Sequence, residues 1–234
     1  MDSVFHLDAP PGFRGLDGDL PVQTYRRDLP HWRQDGATYF VTFRLEDSLP
    51  QEKLIELKQM KLRWQRKFDA RREEEDVSEI ETRKARFEQD RLLYRKMEFW
   101  LDQGMGECVL RDCATREILC EGLGYFDGER YELGSYVIMP NHVHLLIKPL
   151  FENALEKILQ SRKRGSARKI NELRGKQGAV WQAESFDRIV RDTQHLWRCV
   201  QYIGRNPGKA NLGAEAYTRW VKPEWREIGW GFVD

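Results

Sequence analysis

Residues 131–148 constrain the fold more than any other stretch. Tyr131 to Met139 (Tyr-Glu-Leu-Gly-Ser-Tyr-Val-Ile-Met) and His142 to Lys148 (His-Val-His-Leu-Leu-Ile-Lys) are both strand-like, and only Pro140-Asn141 lies between them. Two such runs joined by a tight turn signal predict a β-hairpin. Ala37 to Leu45, rich in β-branched and aromatic residues, predicts an earlier strand, and Val180 to Arg191 contains a fourth. Between the first strand and the hairpin, residues 51–102 hold no Gly or Pro. Apolar residues at Leu54, Leu57, Leu62, Trp64 and Phe68, then at Val77, Ile80, Phe87, Leu92 and Met97, predict two long charged helices with a polar junction near Arg71–Asp76. Whether that pair binds something or braces the fold is left open. Further helices are expected over 113–126, over 153–174 ending at Gly175, and from a Thr193 cap to Asn206-Pro207.

The resulting order, β-α-β-β-α-β-α, predicts an α+β fold with a ferredoxin-like βαββαβ core and an added C-terminal helix. Residues 1–36, rich in Pro, Gly and Asp, are expected to form an irregular lead-in carrying a basic-aromatic patch, Tyr25-Arg26-Arg27 and His31-Trp32. The main domain then spans 37–212, including the charged insertion at 51–102, and 213–234 is a tail.

Composition narrows the class. With 234 residues, 40% of them hydrophobic and 12% aromatic, the chain is not a disordered one. No run of about 18 apolar residues exists, so no membrane span is expected. The N-terminus lacks a basic region followed by an apolar one, so no signal peptide is expected either. Cys108, Cys113, Cys120 and Cys199 show no Cys-x-x-Cys spacing, which predicts reduced thiols and a cytoplasmic location. The net charge of +1 conceals an uneven distribution. Residues 157–209 carry 13 basic and 4 acidic residues, a local +9, while 101–156 carry 4 and 10, a local −6. The positive stretch suits a polyanion such as nucleic acid. A solvated helix face accounts equally well for Arg162-Lys163-Arg164 and Arg168-Lys169.

His142 and His144 are two apart on a strand, so both imidazoles leave one face while Val143 and Leu145 leave the other. Paired neutral imidazoles begin a divalent metal site, although a satisfied pair of core histidines would read the same way. Tyr202 and Asn206, four apart on the last helix, share a face. A phenol beside a metal can attack phosphorus, and an Asn carbonyl is a candidate oxygen ligand. The alternative is a core tyrosine with an asparagine ending the helix before Pro207. Trp181, Phe186 and Trp197 interleave with Arg188, Arg191, Arg198 and Arg205, as in single-strand-binding grooves or as in an ordinary core edge.

Taken together, these segments resemble a known family. Met139-Pro140-Asn141-His142-Val143-His144-Leu145-Leu146-Ile147 resembles the His-hydrophobe-His signature of single-tyrosine HUH transposases, which are IS200-like. Val180-Trp181-Gln182, Phe186 to Arg191, and Tyr202-Ile203-Gly204-Arg205-Asn206-Pro207 are similar to the REP-associated tyrosine transposases, as is Tyr25-Arg26-Arg27. The resemblance covers about residues 22–212. It implies a metal-dependent nuclease and strand transferase acting on palindromic single-stranded hairpin DNA. His142, His144 and Asn206 would then hold Mg²⁺ or Mn²⁺, and Tyr202 would form a 5′-phosphotyrosine. Arg26, Arg27, Arg162, Lys163, Arg164, Lys169, Arg188, Arg191, Arg205 and Lys209 would contact the DNA. Related transposases place a Gln four residues after the Tyr, where this chain has Asn206. They also complete the site across a dimer, so a homodimer is an open expectation. The competing readings are a hairpin-binding module without strand transfer and an assembly scaffold built on 51–102.

Overall fold

The computed structural model describes residues 7–26, 30–74 and 79–233. The chain divides into two compact units, residues 47–107 and the remainder. The smaller unit is the charged insertion. Its helices α1 (Gln51–Glu74) and α2 (Glu79–Leu101) pack through Leu49, Trp100 and Leu101, with Leu54, Leu57, Met97 and Met105 around them. Lys53 and Lys96 lie over the Trp100 ring at 4.8 and 5.1 Å, and Lys96 also pairs with Glu56. Two ammonium groups thus lie against the buried indole, a cation–π arrangement.

The larger unit is α+β. Its elements are β1 (Gln23–Arg26), β2 (Pro30–Arg33), β3 (Tyr39–Arg44), α3 (Cys113–Gly124), β4 (Tyr131–Ile138), β5 (His142–Pro149), α4 (Leu155–Arg174), β6 (Phe186–Ile189), α5 (Thr193–Lys209), β7 (Thr218–Val221) and α6 (Pro223–Glu227). Five strands form one antiparallel sheet in the order β6-β3-β5-β4-β7. Without β7, the strands contributed by the βαββαβ order stand 4-1-3-2, so the first and third strands of that unit are central.

Alternation along the central strands separates two environments. Val41, Phe43, Val143, Leu145 and Ile147 join Leu119 and Leu123 of α3 and Ile158 of α4 in the main core. Phe40, Thr42, His142 and His144 leave the opposite face, which α5 covers. One sheet face is thus filled with hydrocarbon, and the other carries polar groups that have to be satisfied locally.

Several expectations are corrected. The lead-in contains a hairpin, β1–β2, in a separate two-stranded sheet next to β6. Asp192, not Thr193, caps α5, its carboxylate accepting from the His195 backbone N–H at 2.6 Å. Nor does α5 stop at Asn206-Pro207: Pro207 lies inside it and the helix runs on to Lys209. Proline removes one donor, but the next turn is still closed by Ala210 N–H donating to the Asn206 carbonyl. The tail supplies the edge strand β7, beside a bulge in β4 at Gly134. A Cβ at Gly134 would collide with the ring of Trp225, so glycine permits that close approach. Arg27 lies outside the described residues, and Arg26 ends β1.

Candidate active site

The histidine pair is set by the period of β5. Both rings are fully buried, and their Nε2 atoms face each other at 3.0 Å. Each Nδ1 has a partner behind it. His142 Nδ1 lies 2.7 Å from Asn141 Oδ1, and His144 Nδ1 lies 2.7 Å from Thr42 Oγ1. Thr42 reaches His144 because β3 and β5 place the two directly opposite in register. Burial pushes the His142 imidazole down to about 3. It also pushes His144 well below the ordinary range, with His142, Arg188 and Lys209 adding to the depression. Both rings are therefore neutral near pH 7, the form in which imidazole donates a lone pair to a metal.

Helix α5 carries the other candidates across this face. The Tyr202 ring meets His144 edge-on at 5.2 Å and Phe40 at 5.8 Å, and the residue is half-buried. Lys209, two turns on, places Nζ 4.3 Å from the centre of the Tyr202 ring. Arg188 lies over Phe40, its guanidinium 4.8 Å from the ring centre. Two cations thus border a site whose histidines are uncharged, which makes it attractive to phosphate.

Asn206 lies beside His142, where it opposes the downward shift of that imidazole. It has no exposed surface, and neither Oδ1 nor Nδ2 closes a hydrogen bond of regular geometry. A buried amide left so is costly unless another ligand completes it. Among the described residues no group of three or more His, Cys, Asp or Glu side chains converges, so any third protein donor comes from outside those types. Two nitrogens and an amide oxygen fit a divalent cation. Donors at right angles, each about 2.1 Å from one ion, stand roughly 3.0 Å apart, and the two Nε2 atoms meet that separation.

The other basic residues do not all gather here. Arg188, Arg205 and Lys209 lie on β6 and α5, the latter two exposed. Arg162, Lys163, Arg164 and Lys169 lie on α4, on the opposite face of the sheet. Arg162 donates to the Gly122 carbonyl and lies over Phe126, and Lys169 pairs with Glu121 at 3.2 Å. Lys163 is buried and donates to the carbonyls of Gln182 and Ala183 and to Ser185 Oγ, so its ammonium holds the 182–185 loop. Arg164 is exposed at the edge of a cavity of about 420 Å³ beneath that loop. Charge patterning did not single out the ion-pair network in that cavity's wall, where Asp187 bonds both His31 and Arg33, and Arg33 also reaches Glu156. Phe40, Thr42 and Asn141 were missed too; the identity of position 42 as the partner of position 144 depends on strand register.

At the start of α5, Arg191 is exposed, and its backbone N–H donates to His195 Nδ1 at 3.1 Å. Burial, with Arg188, Arg191 and Arg198 nearby, lowers the His195 imidazole to about 4. The unfolded chain takes up this proton near pH 6.5, whereas the folded protein refuses it until about pH 4. Stability from this group is therefore complete above 6.5 and declines as pH falls toward 4. Urea unfolding at pH 7.5 and 5 should show a smaller loss in His195→Gln than in the parent, by about 2 kcal/mol. Equal losses would refute the assignment.

Residues 116–206 match the family model described as "Transposase IS200 like". That stretch includes both histidines, Tyr202 and Asn206, and agrees with the resemblance read from the sequence. No curated protein matches the chain. A solved structure described as "Structure of the REP associates tyrosine transposase bound to a REP hairpin" is similar over 81% of this chain and 74% of its own, at 15% identity and a TM-score of 0.44. No helix among the described residues is long and apolar enough to cross a membrane.

Proposed function

We propose that the protein is a metal-dependent endonuclease and strand transferase for palindromic single-stranded hairpin DNA, with Tyr202 as its nucleophile. The observation that carries this reading is the convergence, on one sheet face, of a half-buried tyrosine, two neutral imidazoles and an amide without regular hydrogen bonds. The family match over residues 116–206 supports it. His142, His144 and Asn206 would hold Mg²⁺ or Mn²⁺, which when bound supplies Lewis-acid polarisation of the scissile phosphate.

The chain's own residues do the rest. Arg188 and Lys209 attract the phosphodiester to the Tyr202 side of the histidines. The Tyr202 hydroxyl gives its proton to solvent as its oxygen attacks phosphorus, the bond to the 3′-oxygen breaks, and that oxygen takes a proton from solvent and leaves as a 3′-hydroxyl. The DNA 5′ end stays on Tyr202 as a phosphodiester, so one bond is exchanged for another and a second hydroxyl can reverse the step. Phe40 and His144 hold the tyrosine ring by its edges, which limits its search for the phosphorus. Arg164, Lys169, Arg191 and Arg205 are exposed, and they are the basic residues suited to contacting backbone phosphates farther from the nucleophile.

The test is to incubate the protein with 3′-labelled single-stranded hairpins, with and without Mn²⁺, and to denature before electrophoresis. A shifted labelled band that needs the metal and disappears in His142→Ala plus His144→Ala is expected. Salt-sensitive hairpin binding that survives the double substitution, with no cleavage of any hairpin, would instead identify a binding module.

A further inference from the structure

We infer that Asn141 and Thr42 are positioning residues that set the tautomers of the two histidines, and that the Thr42 hydroxyl reverses its hydrogen bond with His144 when a divalent cation enters. This rests on the metal-site reading above. Asn141 Oδ1 can only accept, so the contact at 2.7 Å fixes the proton of neutral His142 on Nδ1 and leaves Nε2 with a lone pair. His144 Nε2 stands 3.0 Å from that lone pair. Two bare nitrogens at hydrogen-bonding distance repel, so without a cation His144 carries its proton on Nε2 and donates it to His142. His144 Nδ1 is then an acceptor, and the Thr42 hydroxyl donates to it across 2.7 Å.

That arrangement binds no cation through His144. To offer its own Nε2 lone pair, His144 has to carry the proton on Nδ1. Nδ1–H must then donate, and Oγ1 of Thr42 must accept. A hydroxyl can do both by rotation, whereas an amide oxygen cannot. The two supports are therefore unlike in kind. Asn141 locks one ligand in its binding form, and Thr42 lets the other exchange between a resting and a binding form with no net gain or loss of protons. Both supports are buried, so water does not compete for either role. Outer partners of this type orient ligating imidazoles and fix their tautomers.

The experiment measures Mn²⁺ binding to the full-length protein by electron paramagnetic resonance in the absence of DNA. Thr42→Val keeps the shape and removes both hydrogen-bonding capacities, and it should weaken binding roughly 10- to 100-fold. Thr42→Ser should recover affinity to within about threefold. In parallel, long-range ¹H–¹⁵N spectra of the parent protein should show the His144 proton on Nε2 without metal and on Nδ1 with Mg²⁺. Parental affinity in Thr42→Val, or a His144 proton already on Nδ1 before metal is added, would overturn the inference while leaving the metal site intact. Mn²⁺ binding unchanged by His142→Ala plus His144→Ala would overturn the site itself and the inference with it. The spectra need no variant in which Thr42 is changed, so a folding failure in Thr42→Val does not remove the test.

Discussion

Tyr202→Phe should leave no denaturation-resistant protein–DNA adduct under conditions where the parent protein forms one with Mn²⁺, while hairpin affinity and Mn²⁺ affinity each stay within about threefold. The substitution removes one oxygen and little else. Phenylalanine retains the ring that packs edge-on to His144 and Phe40 and the face beneath Lys209. The hydroxyl belongs to a half-buried residue, so its loss should cost at most about 1 kcal/mol of stability. Binding and folding therefore serve as internal controls for chemistry. An adduct of parental yield in the variant would remove Tyr202 from the nucleophile's role, and a collapse of Mn²⁺ binding would make it structural.

The largest stability effect is expected at Asp187. Its side chain is 1% exposed and has two basic partners, His31 at 2.6 Å and Arg33 at 2.5 Å, the second contact supported by another at 3.1 Å. Removing the carboxylate takes two contacts from the largely buried Arg33 guanidinium, which keeps its pair with Glu156, and one from the His31 imidazole. Breaking a buried pair from one side generally costs about 3–5 kcal/mol, because the remaining charge keeps its desolvation penalty. Asp187→Ala should show a loss of that order in urea unfolding. Glu172→Ala, which breaks an exposed pair with Arg168 at 3.7 Å, should change stability by no more than about 0.5 kcal/mol. Similar small losses from both would mean that the network contributes no net stability.

The parts of this structure legible in the sequence are those set by local period. Strand alternation at 142–147 placed both imidazoles on one face, and helical spacing put Tyr202 and Asn206 on one side of α5. The β-branched run at 37–45 marked a strand, which forms as β3. What remained hidden depends on contacts between distant segments. Thr42 is an ordinary strand threonine until register places it opposite His144. The four-residue strands β1, β2 and β7 are too short to show a period, and β7 follows an edge that exists only once β4 is in place. The fourth strand lay within a longer expected span and is confined to Phe186–Ile189, with Trp181 making a lone bridge to Leu45. The basic run 162–164 illustrates a geometric limit. Three successive helical residues sweep about 200° of a helix, so one member of such a run can reach the buried stripe. Here Lys163 is the one that turns inward.

The segment after Leu212 has a mechanical consequence for Tyr202. Gln201 Nε2 donates to the Gly231 carbonyl at 2.9 Å, and its Oε1 accepts from Val233 N–H at 2.9 Å. Arg219 donates to the Gly204 carbonyl at 3.0 Å, and the buried Trp230 meets Trp197 at 5.7 Å. Gly204 has no side chain where the Phe232 ring presses on α5. Helix α5 is therefore gripped by the sheet on one side and by this segment on the other, at residues interleaved with Tyr202 and Asn206. A rotation of the helix by one residue's worth, about 100°, would carry Tyr202 off the histidine pair altogether. The segment serves as a key in a shaft: it fixes the azimuth at which the Tyr202 ring is presented to the histidine pair.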